Sequence, residues 1–257
     1  MKKVWITSLA RDKAVVANLL GLAKRYGLDA NGHFWVDDLA HMAWQAPLEN
    51  LADGGADLWI IAGAANDIEA ASVRYGLALL TLSVQAARGN GFPILWVTTS
   101  GDMDPAILPT PLRGAAAMGA ANASLGAKIV ARANTPAPKI AADYRLAVHA
   151  NPGFGVWLEV GPGKELSWSG ALLGVCGGGI DALGVGPAGK LPSRAVLEYP
   201  MKGLQIELGE KKYTGWAVQN QLDDGTSYYV RITETPTSLL FGPYSQEDAA
   251  EVHVIDM

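Results

Sequence analysis

One cysteine, Cys176, occurs in 257 residues, so no disulfide framework holds this chain together. Charge is sparse: Asp, Glu, Lys and Arg make up 18% of the chain, below the usual quarter. With 49% hydrophobic residues, that excludes an intrinsically disordered chain, which has little apolar surface to bury. No apolar run approaches the roughly 20 residues that a membrane-spanning helix needs. No GxSxG element is present, so the usual sign of a serine hydrolase elbow is missing. His33, His41, His149 and His253 are scattered, without the dense ligand spacing of a metal site. Glycine, by contrast, is plentiful at 30 residues.

The net charge of −5 argues against nucleic-acid binding. The charge is uneven. Residues 1–150 hold 13 basic and 12 acidic side chains, and residues 151–257 hold 7 and 13. That shift predicts two domains with different surfaces. The apolar run after Lys2-Lys3 is about four residues, too short for a signal-peptide core. It reads as a first strand, which predicts a cytoplasmic protein.

Strands are predicted over 4–7, 33–36, 57–62 and 92–98, with a fifth over 127–131. Between them, helical periodicity marks 12–25, 39–51 with a kink or restart at Pro47, 68–88 and 112–125. Lys24-Arg25 suit a helix C-terminus, and Gly27 follows as a cap. The strand over 57–62 is a continuous apolar run, the sign of burial on both faces in a parallel sheet. This alternation predicts an α/β fold: a five-stranded doubly wound parallel sheet, flavodoxin-like, over 1–133, with a ligand crevice at the strand C-terminal ends. Residues 134–139 read as a stiff linker. Beyond it the helical period disappears. Short strands are predicted over 146–149, 155–160, 167–175, 180–185, 195–199, 204–208, 213–219, 228–233 and 252–255, and a short helix over 245–250. Asp223-Asp224-Gly225 reads as a hairpin turn. The second part, 143–257, is thus a glycine-rich, mainly antiparallel β domain. A single α+β domain is the alternative.

Candidate site residues cluster where the parallel sheet should end. Ser8, Arg11 and Asp12 occupy the first strand-to-helix loop, which carries neither of the glycine motifs that wrap a pyrophosphate. Ser8 or Asp12 also suits a helix N-cap. Asp37 and Asp38 end the second strand and suit either a ribose hydroxyl or a helix cap. Thr98, Thr99, Ser100 and Asp102 concentrate hydroxyls and carboxylate after the fourth strand. Trp157, Trp168 and Trp216, with Tyr228 and Tyr229, form either core or an aromatic surface for a partner or sugar. No metal is predicted, and no cofactor is named.

Three resemblances follow from these residues. Val4-Trp5-Ile6-Thr7-Ser8, Arg11-Asp12, Tyr26-Gly27-Leu28-Asp29 and Ala56-Asp57-Leu58-Trp59-Ile60-Ile61 together are similar to the opening of TIR domains, over about 100 residues. The resemblance implies a flavodoxin-like fold that self-associates or cleaves NAD. TIR hydrolases carry a glutamate on the helix after the third strand. Arg74-Tyr75-Gly76 fall near that place here, with Glu69 about a turn earlier. The Asp37-Asp38 pair resembles the acidic pair of response-regulator receivers, although Gly63-Ala64-Ala65-Asn66-Asp67 puts no aspartate directly at the end of the third strand. Leu173-Gly174-Val175-Cys176-Gly177-Gly178-Gly179 locally resembles the nucleophile elbow of class I glutamine amidotransferases. There, however, the glycines make a poor helix start, and only His253 lies downstream as a base, so Cys176 reads as a small buried residue. The expected function is regulatory: small-ligand sensing, with a nucleotide as candidate ligand, or protein association as a homo-oligomer, a dimer in the simplest case. The alternative is a nucleotide-processing enzyme using the same crevice. A structural assembly protein is the third class.

Overall fold

Asp12 links local sequence to the first unit. Its carboxylate accepts from Ala14 N at 2.8 Å and Val15 N at 3.1 Å, satisfying amides that the first turn of a helix leaves open. Helix α1, Lys13–Arg25, follows and ends on the basic pair Lys24-Arg25. In this computed structural model residues 1–101, 103–194, 196–245 and 251–257 are described. They form two compact units, Met1–Ile140 and Ala141–Met257.

The first unit is a parallel α/β layer structure. Its strands are β1 Lys3–Ser8, β2 Asp29–Phe34, β3 Leu58–Gly63, β4 Ile94–Thr98 and β5 Ala116–Gly119. They pair in the order β2-β1-β3-β4-β5, parallel throughout, consistent with a flavodoxin-like fold. The helices after α1 are α2 Leu48–Ala52, α3 Ala71–Arg88 and α4 Leu125–Asn134. β3 and β4 are buried along their whole length, which is why they read as apolar runs. One face of the sheet (Val4, Ile6, Leu58, Ile60, Leu95 and Val97) packs on Leu19 and Ala23 of α1 and on Leu125, Ile129 and Ala133 of α4. Each such buried aliphatic side chain contributes about 1.5–3 kcal/mol. On the other face Trp59 Nε1 donates to Thr7 Oγ1 at 2.9 Å, so the indole is buried with its polar atom paired.

Four local expectations are corrected. The alanine-rich stretch predicted as helix over 112–125 contains β5, and the predicted strand over 127–131 lies within α4. Alanine's helix propensity loses to strand pairing, because Ala116, Ala117 and Met118 complete the β4 edge opposite Leu95, Trp96 and Val97. Among the described residues the link from β4 to β5 holds two 3-10 turns, Pro105–Ile107 and Thr110–Leu112, and no α-helix. The second strand starts at Asp29 rather than 33. It is an edge strand with no residue fully buried, so its sequence is polar and small. The helix predicted over 39–51 restarts at Pro47 as expected, but the part before it is only a 3-10 turn, Ala43–Gln45, and the part after it is the short α2.

The second unit is built of antiparallel strands: β6 Tyr144–Asn151, β7 Gly155–Pro162, β8 Trp168–Cys176, β9 Gly179–Pro187, β10 Met201–Leu208, β11 Lys211–Leu222, β12 Thr226–Thr233, β13 Ser238–Pro243 and β14 His253–Asp256. One sheet runs β6-β7-β12-β9 and the other β10-β11-β8-β13-β14. Leu158, Val160, Tyr228 and Val230 of the first, with Leu173, Val175, Leu239 and Phe241 of the second, are fully or almost fully buried. Asp223-Asp224-Gly225 does not close a hairpin. β11 pairs with β8 and β10, whereas β12 pairs with β7 and β9, so this turn carries the chain from one sheet to the other. β13 lacks a polar alternation and was not predicted. Residues 196–199 form no strand, and Ala195 lies outside the described residues, as do 246–250 of the predicted helix. Trp168, Tyr228 and Tyr229 are buried; of the proposed aromatic surface only Trp157 and Trp216 are half-exposed, and they lie on different sheets. Cys176 ends β8 and is followed by a turn into β9 rather than a helix, so the amidotransferase-like elbow is not formed.

Candidate functional site

The strand ladder continues past the C-terminal ends of the parallel sheet. Leu9 N donates to Ala62 O at 2.8 Å, Trp35 N to Ser8 O at 2.8 Å, Thr99 N to Gly63 O at 3.2 Å and Ala120 N to Thr98 O at 2.8 Å. The loops after β1, β3 and β4 are therefore held side by side. Gly63 is a point of close approach. A side chain there would bring Cβ to 2.8 Å from Leu9 Cδ1 and 3.2 Å from Asp67 Oδ2, so glycine permits the approach. Asp67 turns back to accept from Ala64 N at 2.7 Å and fixes this loop. Gly63 and Asp67 were not among the predicted residues. Their signal was a glycine directly after the strongest apolar strand, with an acidic residue four positions on.

The predicted residues have distinct roles. Ser8 is 2% exposed, and its hydroxyl donates to Ala10 O at 2.7 Å. Arg11 is exposed, and Asp12 is the α1 cap. Asp37 accepts from Ser72 Oγ at 2.7 Å, tying the loop after β2 to the first turn of α3. Asp38 accepts from His41 N at 3.0 Å and His41 Nδ1 at 2.7 Å. These hydrogen bonds, the backbone one foremost, hold the Asp38 carboxyl below its ordinary range. Glu69 is exposed just ahead of α3, whose N-cap Ala70 supplies no side-chain cap. Thr98 is buried, Thr99 half-buried and Ser100 exposed. Asp102 lies outside the described residues. Ser8, Gly63, Thr98 and Thr99 thus sit at or just past the ends of three adjacent strands, whereas Asp12 and Asp38 serve turns and caps.

Sequence reasoning missed a second polar centre, in the β unit. Strand register places Ala147, Glu159, Tyr229 and Gly184 in one row across β6, β7, β12 and β9, with Arg145, Gly161, Ser227 and Gly186 in the next. Glu159 is 3% exposed. Its carboxylate accepts from His149 Nε2 at 2.6 Å, Ser227 Oγ at 2.7 Å and Gly189 N at 2.8 Å. Burial alone would raise its pKa, but these donors together hold it below the ordinary value. Arg145 Nη2 donates to Ser227 Oγ at 3.0 Å, and Lys190 N to Tyr229 Oη at 3.1 Å. Serine and histidine both face the carboxylate rather than each other, so no nucleophile-base pair is formed. The visible signal was one acid between Leu158 and Val160 in an apolar strand.

Among the described residues no group of three or more His, Cys, Asp or Glu is placed to hold a metal, and no helix is long and apolar enough to cross a membrane. No protein-family model matches the chain, and no curated protein matches it. Among the solved structures that align with it are two of esterases. One is the crystal structure of a two-domain esterase active on acetylated mannans, co-crystallised with mannopentaose: 11% identity over 99% of this chain and 90% of that one, with a TM-score of 0.30. The other is the crystal structure of a two-domain esterase active on acetylated mannans, at 10% identity over 99% and 91%, with a TM-score of 0.28. At such scores the likeness carries no argument.

Proposed function

We propose that the protein senses a small ligand through its α/β unit, read here as a doubly wound, flavodoxin-like or receiver-like sheet. The ligand sits at the C-terminal ends of β1, β3 and β4. The observation that carries this reading is the convergence of three loops on Gly63, with Thr98 paired opposite it, Thr99 N donating to its carbonyl, and the start of α3, which has no side-chain cap, following the same β3 loop. Such a rim offers hydrogen-bond donors to a polar, nucleotide-like ligand. The neighbouring carboxylates of Asp12, Asp37 and Asp38 already accept from protein groups. That favours recognition over acid-base chemistry. The homo-dimer and the cytoplasmic setting belong to the same proposal.

Glu69 favours a second reading, in which the same crevice processes a nucleotide such as NAD in the manner of TIR hydrolases. Its carboxylate is exposed immediately before α3. Thermal unfolding against NAD, flavins, nucleotides and cyclic nucleotides tests the first reading. A ligand at 100 times its Kd adds about 2.7 kcal/mol, or several degrees for a chain of this size. No shift across the panel rejects the crevice as a sensor of these ligands. A shift accompanied by turnover that Glu69→Gln abolishes favours the enzyme.

A further inference from the structure

The opposite edge of the parallel sheet carries a different feature. Ahead of β4, beside the end of α4, lies a cavity of about 210 Å³. Lys128 and Arg132 line it, together with Pro93, Pro136 and Pro138. The two cations are four residues apart on α4, so they share one helix face. Both are half-buried. No carboxylate lines the cavity, and neither cation makes an ion pair among the described residues.

Arg132 by itself is explained by the helix dipole, since it stands in the last turn of α4. Lys128, a turn earlier, is not. Two like charges one turn apart repel and cost the helix stability unless something neutralises them. The C-terminus of α4 carries about half a negative charge, against two full positive ones. Part of that negative end is already muted. Thr135 Oγ1 donates to Ala131 O at 2.7 Å, and Asn134 Nδ2 to Val130 O at 2.9 Å. The only charged side chains lining the cavity are thus cationic, and the rest of its wall is the three prolines with Gly91, Ala131, Thr135 and Ala137. The wall is also held tightly. A side chain at Gly91 would bring Cβ to 2.1 Å from Pro138 O, so glycine is needed for the 136–138 segment to close over the strand entry.

We propose that this cavity is a second binding site, for a small anion carrying a compact apolar body, an aryl phosphate or aryl carboxylate in chemical class. Lys128 and Arg132 pair with the anionic group, and the prolines cover the ring. The site is independent of the crevice at the other edge of the sheet.

The test is amide NMR on the full chain, titrated with inorganic phosphate and with phenyl phosphate at constant ionic strength. The expected result is saturable shifts confined to residues 91–93 and 128–138, with phenyl phosphate the tighter ligand. Lys128→Gln/Arg132→Gln should bind at least about tenfold more weakly, the equivalent of 1.4 kcal/mol. Lys13→Gln, a cation exposed at the start of α1, should bind as the parent does. Non-saturable shifts in the parent overturn the site, as does equal affinity in the double variant with its spectrum otherwise intact. Equal affinity for the two probes overturns the apolar part of the ligand assignment.

Discussion

His149 Nε2 donates to Glu159 Oε2 at 2.6 Å from the neighbouring strand, and the acceptor is almost wholly buried. Ser227 and the Gly189 amide complete the set of donors to that carboxylate. Glu159→Ala leaves all three donors without their acceptor. Removing one partner of such a buried charged network costs about 3–5 kcal/mol. Ser227→Ala, which removes one donor of three, costs about 1 kcal/mol. Chemical denaturation followed through the β unit should give that ranking, and a Glu159→Ala cost below that of Ser227→Ala would refute it.

The same carboxylate sets an acid limit on the β unit. Its folded pKa lies below the ordinary 4.5. A group depressed on folding contributes stability above its unfolded pKa and loses it as pH falls through the folded value. Stability of the second unit should hold from neutral pH to about 4.5 and then decline. In Glu159→Gln that part of the decline disappears. Unfolding midpoints of parent and variant measured between pH 7 and 3 should therefore converge on the acid side.

His33 acts at a higher pH in the other unit. Burial lowers its pKa from 6.5 to about 4, and Trp5 Nε1 donates to its Nδ1 at 3.1 Å. An acceptor nitrogen is unprotonated, so the ring is neutral with its proton on Nε2. Between 6.5 and about 4 the unfolded chain binds a proton that the folded one does not. Folding is therefore weakened as pH falls through that window. The His33 ring signal should titrate with a midpoint near 4 by NMR. A midpoint above 6 would mean that the ring is hydrated.

Whereas the predicted order of the last helix and strand is reversed, the order of elements from β1 to β4 was legible because β3 and β4 are buried on both faces and α3 is long. Their signals are burial signals, and burial acts on side-chain type. β5 was not legible, since its small residues carry no period and only the β4 edge makes them a strand. α4 was missed because its buried face, Leu125, Gly126, Ile129 and Ala133 with Val130 packed beside them, is made mostly of small residues and a short β-branched run that reads as strand. In the β unit, strand identity was largely visible but partnership was not. Asp223-Asp224-Gly225 has hairpin chemistry, yet pairing is decided by which sheet each strand completes. Asp12 was read as either cap or ligand contact, and the cap geometry is a local property that sequence carries well. Glu159 and Gly63 leave a local mark, an acid in an apolar strand and a glycine at a strand end, but their partners lie across strands and loops and are not encoded there.

Asp12 and Gly63 together separate stability from recognition at the crevice. Asp12→Ala removes an N-cap and should cost about 1 kcal/mol. Its carboxylate is spent on two α1 amides, so the response to a bound ligand should persist. Gly63→Ala places a methyl group against the end of the Leu9 side chain and the Asp67 carboxylate. The leucine end can rotate away, so the stability cost should also be about 1 kcal/mol. Asp67, however, holds Ala64 N, and its displacement moves the loop that borders Thr99. The two variants should thus unfold at similar temperatures while only Gly63→Ala loses its ligand-induced shift. Equal ligand shifts in both would move the binding surface away from β3, toward the loops after β2 and β5.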